Sequence, residues 1–259
     1  MTTDLHIDST LTEPDVDLSG KKILVTGGSR GVGAEVARIA ASRGADIAIN
    51  YRNKERRAEQ VADTVREQGR EAVIIQADIT DPVSVSEMYA QVRESFGHLD
   101  VLVLNASGGL EKDVDDNYAM LLNRDSQVGL VKAALPLLPS GAVVVFVTSH
   151  LAHFHGQKEV MPEYEPVAAS KKAGETALRN MQERLDEVGV RLIVVSGDLI
   201  DGTITPKLLD RMRPGMIQQR RDEAGWLPTT EDFAAAIVLA AGRNDLDSGA
   251  TIYVGSTEW

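Results

Sequence analysis

The 259-residue chain contains no cysteine. That excludes disulfides, thiolate metal sites and cysteine nucleophiles, and it fits the cytoplasmic location expected here. Long apolar runs are also missing. The longest uninterrupted one, Ala142 to Val147 (AVVVFV), has the length of a strand and is far too short to span a bilayer. The opening stretch MTTDLHIDSTLTEPDVDLSG has neither a basic start nor an apolar core, so it does not read as a secretion signal. Positive charge is scarce: 27 lysines and arginines face 39 aspartates and glutamates, a formal net charge of −12. Such a balance argues against nucleic acid or an anionic membrane as partner, while leaving room for a local basic pocket that holds a phosphate. No solenoid-period repeat or low-complexity segment is visible.

What is present is alternation. Residues 1–17 are polar, acidic and aperiodic and read as a flexible arm, with a single domain over 18–259. From Lys21 onward, short apolar runs that end in polar or glycine residues alternate with amphipathic, helix-like stretches. Seven strands are expected: KKILVTGG, ADIAINYR, EAVIIQADIT, LDVLVLNASGG, GAVVVFVTS, VRLIVVSGD and GATIYVG. Asp81-Pro82 marks one helix start, and the run from Pro166 to Gly189 reads as one long helix. The fold class is therefore α/β, a doubly wound, Rossmann-like parallel seven-stranded sheet with helices on both faces. Ligands bind beyond the carboxyl ends of such strands, which points to residues 26–33, 50–52, 78–79, 105–108, 148–155 and 196–205.

The first of these stretches, TGGSRGVG, holds Gly27, Ser29, Arg30, Gly31, Val32 and Gly33 between a strand and a helix. Glycines let the turn tighten and let a pyrophosphate approach the helix N-terminus, where free N–H groups and the dipole favour an anion. The spacing, Gly27-x-x-x-Gly31-x-Gly33, is not the commoner G-x-G-x-x-G. With the preceding DLSGKKILV it resembles the short-chain dehydrogenase/reductase family, and the resemblance runs from about Asp17 to the C-terminus. It implies that Asp78 and Ile79 (ADIT) meet the adenine, and that Asn105, with Ala106 and Ser107 (NASG), supports the central strand and lines the cofactor cleft. It further implies that Asn123 holds a proton-relay water and that Ser149 (FVTS) is the catalytic serine. An NAD site usually has an acid at the end of strand two, whereas here that end reads Asn50, Tyr51, Arg52, with Arg30 in the turn nearby. Two guanidiniums and no carboxylate suit a 2′-phosphate, so NADP is expected in preference to NAD.

In the family it resembles, a tyrosine is the general acid and a lysine four residues later bonds the nicotinamide ribose and lowers the tyrosine's pKa. Serine holds the substrate oxygen. The lysine is Lys171, but the tyrosine position is Val167, which can neither donate a proton nor hydrogen-bond. The nearby Tyr164 is two turns from Lys171, about 10 Å along a continuous helix, so a simple slide along the helix fails. Pro166 is expected to push Glu165 out of helical geometry and to leave Tyr164 in the loop entering the helix, free to swing back over the cleft. That loop also holds His150, His153 and His155. Three readings stand for it: a solvated loop, a source of the proton through Tyr164 or a histidine, and a metal site. The histidines show no evident carboxylate partner, so no metal is assigned.

After strand six, SGD replaces the family's PG. By resemblance Gly197 would contact the nicotinamide amide and Thr203 the phosphates. Residues 203–228 correspond to a substrate lid, in which Met212, Met216, Ile217 and Trp226 form either an apolar pocket wall or ordinary helix packing. The expected function is NADPH-dependent reduction of a small-molecule carbonyl, or the reverse alcohol oxidation, with a non-standard proton donor. The alternative is a redox-silent NADP-binding sensor on the same fold. A homodimer or homotetramer is implied by the resemblance alone.

Overall fold

Apolar runs rich in Val, Ile and Leu become strands, and their alternation sends successive side chains to opposite faces of one sheet. In chain order the strands are β1 (Leu5–Ile7), β2 (Lys22–Val25), β3 (Asp46–Tyr51), β4 (Ala72–Gln76), β5 (Val101–Leu104), β6 (Val143–Ser149), β7 (Arg191–Gly197) and β8 (Thr251–Val254). The computed structural model describes residues 4–11, 13–110, 115 and 117–258; the side chains of Ile204, Thr205 and Met212 also lie outside the description, and with them the expected place of Met212 in a pocket wall. The sheet order is β1-β8-β7-β6-β5-β2-β3-β4, with every pairing parallel.

The helices are α1 (Gly31–Ser42), α2 (Glu55–Glu67), α3 (Pro82–Phe96), α4 (Tyr118–Met120), α5 (Ser126–Ala134), α6 (His150–His153), α7 (Glu165–Arg179), α8 (Gln182–Glu187), α9 (Ile204–Met212), α10 (Met216–Ala224) and α11 (Thr230–Gly242). On one face of the sheet Ile23, Val25, Val103, Val145 and Ile193 pack with residues of α1, α2 and α11. On the other face Leu24, Leu102, Leu104, Val144 and Val194 pack with residues of α3, α5 and α8. Among the described residues no helix is long and apolar enough to cross a membrane.

Three expectations are corrected. The sheet has eight strands, because Leu5–Ile7 of the acidic arm adds in parallel beside β8. Leu5 and Ile7 pack against the core, and the Asp4 carboxylate accepts from Thr251 N at 2.8 Å, so this part of the arm is tied down. A three-residue strand is too short for its alternation to stand out in sequence, and its pairing covers an edge that β8 would otherwise expose. The long helix expected from Pro166 to Gly189 divides into α7 and α8 around Asn180 and Met181. Finally, Glu165 is helical, the first residue of α7, because the restriction before proline is a bias that helix nucleation overrides.

A π-helical turn, Leu121–Asp125, joins α4 to α5 and carries Asn123. Opposite it stands Gly174 of α7, where a Cβ would fall 2.0 Å from the Asn123 carbonyl oxygen. Only glycine permits this approach, since the obstacle is backbone. Gly174→Ala should therefore cost about 3 kcal/mol, measured by urea unfolding; a loss within experimental error would show that the two helices can part freely.

Candidate active site

A cavity of about 1010 Å³ opens at the carboxyl ends of the central strands, and its walls include Asn105, Ser149, Tyr164, Lys171 and Gly197. The glycine turn forms one side. Gly27 has φ +63° and Gly31 φ +54°, left-handed values that favour glycine. A Cβ on Gly33 would meet Asn105 Nδ2 and Gly27 O at 2.7 Å, while nothing lies within 4 Å of one on Gly31. α1 starts at Gly31, has no acidic residue in its first turn, and among the described residues receives no side-chain cap from Arg30. With no side-chain cap and no acid in the first turn, this helix start keeps its positive dipole potential uncompensated, an arrangement that fits a pyrophosphate. Val32 and Arg30 also line the cavity, and Ser29 sits half-buried on the turn.

Asn105 braces the turn from β5: its Nδ2 donates to Thr26 O at 2.9 Å, and its own N–H donates to Thr26 Oγ1 at 3.0 Å. Ala106 N donates to the same hydroxyl at 3.1 Å, and Ser107 lies on the cavity wall. Other residues of the expected cofactor set are engaged elsewhere. Asn50 is buried, accepting from Gly27 N at 3.2 Å and donating to Ala77 O at 3.1 Å, so it shapes the turn from beneath. Tyr51 and Ile79 are buried in the two cores, on opposite faces of the sheet. The Asn50 side chain is spent on the backbone of the turn, and those of Tyr51 and Ile79 on packing, which residue type alone could not reveal. Arg52 is the exposed residue after β3, and its guanidinium donates to Tyr118 Oη at 2.6 Å, a partner the sequence did not suggest. The Asp78 carboxylate accepts from Thr80 N and Oγ1 at 2.9 and 2.7 Å.

Ser149 ends β6, and its Oγ lies 3.3 Å from the Tyr164 hydroxyl. Tyr164 is the residue preceding α7, with φ −103° and ψ −10°, and Pro166 sits in the first turn, where its missing N–H is not needed. Only 5% exposed, the Tyr164 phenol is pushed above the usual tyrosine range by burial, with the Ser149 bond opposing. That reverses the direction expected from a neighbouring lysine: the phenol stays protonated. Lys171 is buried in the same cavity, and burial pulls its ammonium down to about 8. Among the described residues its ammonium has no hydrogen-bond partner, and burial is the one cause of its shift. Val167 is buried with Tyr164, Ala152, Ala168 and Leu209 in a small third cluster. Asn123 lies outside the cavity wall; its amide donates to Gly108 O at 2.8 Å and Ser170 Oγ at 2.9 Å, so its side chain ties the π turn to α7.

The loop histidines separate. His150 Nδ1 bonds Ser196 Oγ at 2.7 Å, and burial holds the ring neutral, down to about 3. His153 bonds the Glu175 carboxylate at 2.9 Å and Tyr253 Oη at 3.1 Å, and His155 bonds Glu165 at 2.6 Å. Both have carboxylate partners that the local sequence concealed, 22 and 10 residues away. Among the described residues no three His, Cys, Asp or Glu side chains are grouped to hold a metal ion.

Past β7, Gly197 lines the cavity and has no room for a side chain, since a Cβ would lie 2.6 Å from Phe233. The Thr203 hydroxyl donates to Ile200 O at 2.8 Å. Residues 203–228, the expected lid, are anchored by a pair sequence reasoning missed: Arg220 of α10 grips buried Asp198 through Nε and Nη2 at 3.0 and 2.8 Å, and Nη1 donates to Glu258 O at 2.6 Å. Their separation of 22 residues leaves no local signal. Of the lid's apolar residues, Met216 packs against the Tyr164 cluster, whereas Trp226 packs against the main core.

A parallel sheet with helices on both faces and a glycine turn opening α1 defines the Rossmann-like class of α/β proteins. The sequence profile of the short chain dehydrogenase family matches residues 21–212, and the chain belongs to that family. A versicolorin reductase of Emericella nidulans is 34% identical over 168 residues, 62% of this chain and 62% of the relative. The matched stretch thus spans less than two thirds of that relative's length. A short chain dehydrogenase from Burkholderia cenocepacia, solved with NADP, is 30% identical, with 92% of this chain and 97% of that one covered and a TM-score of 0.78. A 7α-hydroxysteroid dehydrogenase, solved with NADH and 7-oxo glycochenodeoxycholic acid, is 26% identical, with 93% and 96% covered and a TM-score of 0.81.

Proposed function

We propose that this protein is an NADPH-dependent carbonyl reductase in which Tyr164, carried at the mouth of α7, replaces the missing acid at Val167. The carrying observation is the 3.3 Å approach of Tyr164 Oη to Ser149 Oγ inside the cavity that Lys171 also lines. NADPH, when bound, supplies the hydride to the carbonyl carbon. Ser149 would hold the carbonyl oxygen and Tyr164 would give that oxygen its proton, leaving an alcohol. Lys171 would hold the ribose through its ammonium. The raised pKa of Tyr164 favours this direction, because a phenol that stays protonated donates readily and serves poorly as a base. The working unit is the sheet domain over 18–259, with β1 of the N-terminal arm added at its edge and the lid at 203–228.

The absence of a carboxylate at residues 50–53 and the presence of Arg30 and Arg52 support a 2′-phosphate. Arg52→Asp should weaken NADPH binding about 100-fold or more and NADH hardly at all, read by cofactor fluorescence titration; equal losses would refute this assignment.

The reading itself is tested by offering NADPH with a panel of carbonyls, including the ketosteroid and versicolorin-type ketones suggested by the relatives' names. Turnover of at least one, with deuterium passing from labelled NADPH to the carbinol carbon, is the expected result. Tight NADPH binding without turnover of any member would instead mark a redox-silent NADP-binding protein.

A further inference from the structure

An acid fixed on a helix face is aimed by the helix itself. Tyr164 stands at the residue before α7, outside the helix proper, and the packing around its ring helps to aim it. The packing comes from an unexpected source. The small cluster around Tyr164 draws Ala152 from α6, Val167 and Ala168 from α7, and Leu209 from lid helix α9. Leu209 is 1% exposed, and Met216 of α10 together with Val160 and Met161 of the entering loop packs against the same group. This cluster is separate from both main cores, and Leu209 is its one buried member from the lid segment among the described residues. The lid in turn is held by the buried Arg220–Asp198 pair.

We propose that Leu209 is a positioning residue for the proton donor: the seated lid presses Tyr164 against Ser149, so that closing the substrate pocket and aiming the acid are one event. The inference rests on Tyr164 being the acid. Where the acid is part of the helix, lid closure need only trap substrate; here it also completes the catalytic pair. An open lid would leave the phenol wetter and less directed, which suppresses proton transfer before substrate arrives.

The test combines Leu209→Ala, Leu209→Met and Tyr164→Phe, with the double variant Leu209→Ala/Tyr164→Phe. Leu209→Ala should lower kcat about 10- to 100-fold, with NADPH affinity unchanged, and Leu209→Met should recover most of it. In the Tyr164→Phe background Leu209→Ala should have almost no further effect on kcat, since the group it positions is gone. A second readout needs no turnover: in the cofactor-free protein, tyrosinate absorbance attributable to Tyr164 should appear at lower pH once Leu209 is truncated. A rise in KM with kcat intact, or an equal kcat loss in both backgrounds, would overturn the coupling while leaving Tyr164 as the acid. Full activity of Tyr164→Phe would remove the acid assignment, and the positioning role would fall with it.

Discussion

Tyr164→Phe is expected to lower kcat for carbonyl reduction about 10²- to 10⁴-fold, the usual worth of a general acid, with little change in NADPH affinity. The size assumes that none of the three loop histidines takes over. His150 is held neutral by burial and bonded to Ser196 through Nδ1, while His153 and His155 are engaged with Glu175 and Glu165. Ser149 has a hydroxyl of its own, but its Oγ also accepts from Ala152 N at 3.3 Å and would serve to hold the substrate oxygen. The companion variant is Tyr164→Phe/Val167→Tyr, which restores a phenol four residues before Lys171, on the same helical face. Space for it must come from beside Gly109, where a Cβ would lie 3.2 Å from Val167 Cγ2 and glycine has none. Recovery of about tenfold over the single variant would show that the site tolerates either origin of the proton. Full activity of Tyr164→Phe alone would transfer the role to water or to a histidine released by substrate binding.

Lys171→Met should abolish measurable reduction and yet make the cofactor-free protein more stable. Burial pulls the ammonium from 10.5 to about 8, so the folded chain resists carrying this charge. At pH 7 the lysine is protonated in both states, and the folded state bears the whole penalty, about 3 kcal/mol. As pH rises from about 8 to 10.5 the folded chain gives up its proton before the unfolded one does, so the penalty fades and stability climbs. Methionine has no charge to bury and keeps most of the volume. The expected result is a Tm higher by roughly 5 °C at pH 7, with the gain shrinking towards pH 10. A variant less stable than wild type at pH 7 would mean the ammonium has a compensating partner. With Lys171 holding the ribose as proposed, NADPH should draw in a proton above pH 8 in wild type and not in Lys171→Met, detectable by calorimetry in two buffers.

Much of this molecule is legible in one dimension because its determinants are local. Uninterrupted apolar runs specify strands buried on both faces, glycines at residues 27, 31 and 33 specify the turn, and Asp81-Pro82 specifies a helix start whose cap bonds to Val83 N and Ser84 N form as expected. Strand ends place the glycine turn and Ser149 at the carboxyl end of the sheet, whereas Lys171, within α7, was singled out by the family resemblance alone. What was not legible depended on partners distant in sequence. Leu5–Ile7 is a strand only because β8 offers an open edge more than 240 residues later, at Ile252 to Val254. Asn50 and Arg52 look alike as polar residues at a strand end, but one is turned under the glycine loop and the other out to solvent.

The sequence by itself determined the parallel α/β fold and the glycine turn that opens α1, because backbone preference and residue chemistry need no neighbours to be read, while Val167 stands out only against the family it resembles. Only the tertiary structure decided where Tyr164, the proposed proton donor, stands. Tyr164 reaches Ser149 because α7 begins immediately after it and because apolar side chains from the lid, the entering loop and α6 close around its ring. The aim of that hydroxyl is a property of packing among segments remote from one another in the chain, and packing is the quantity a linear pattern does not contain.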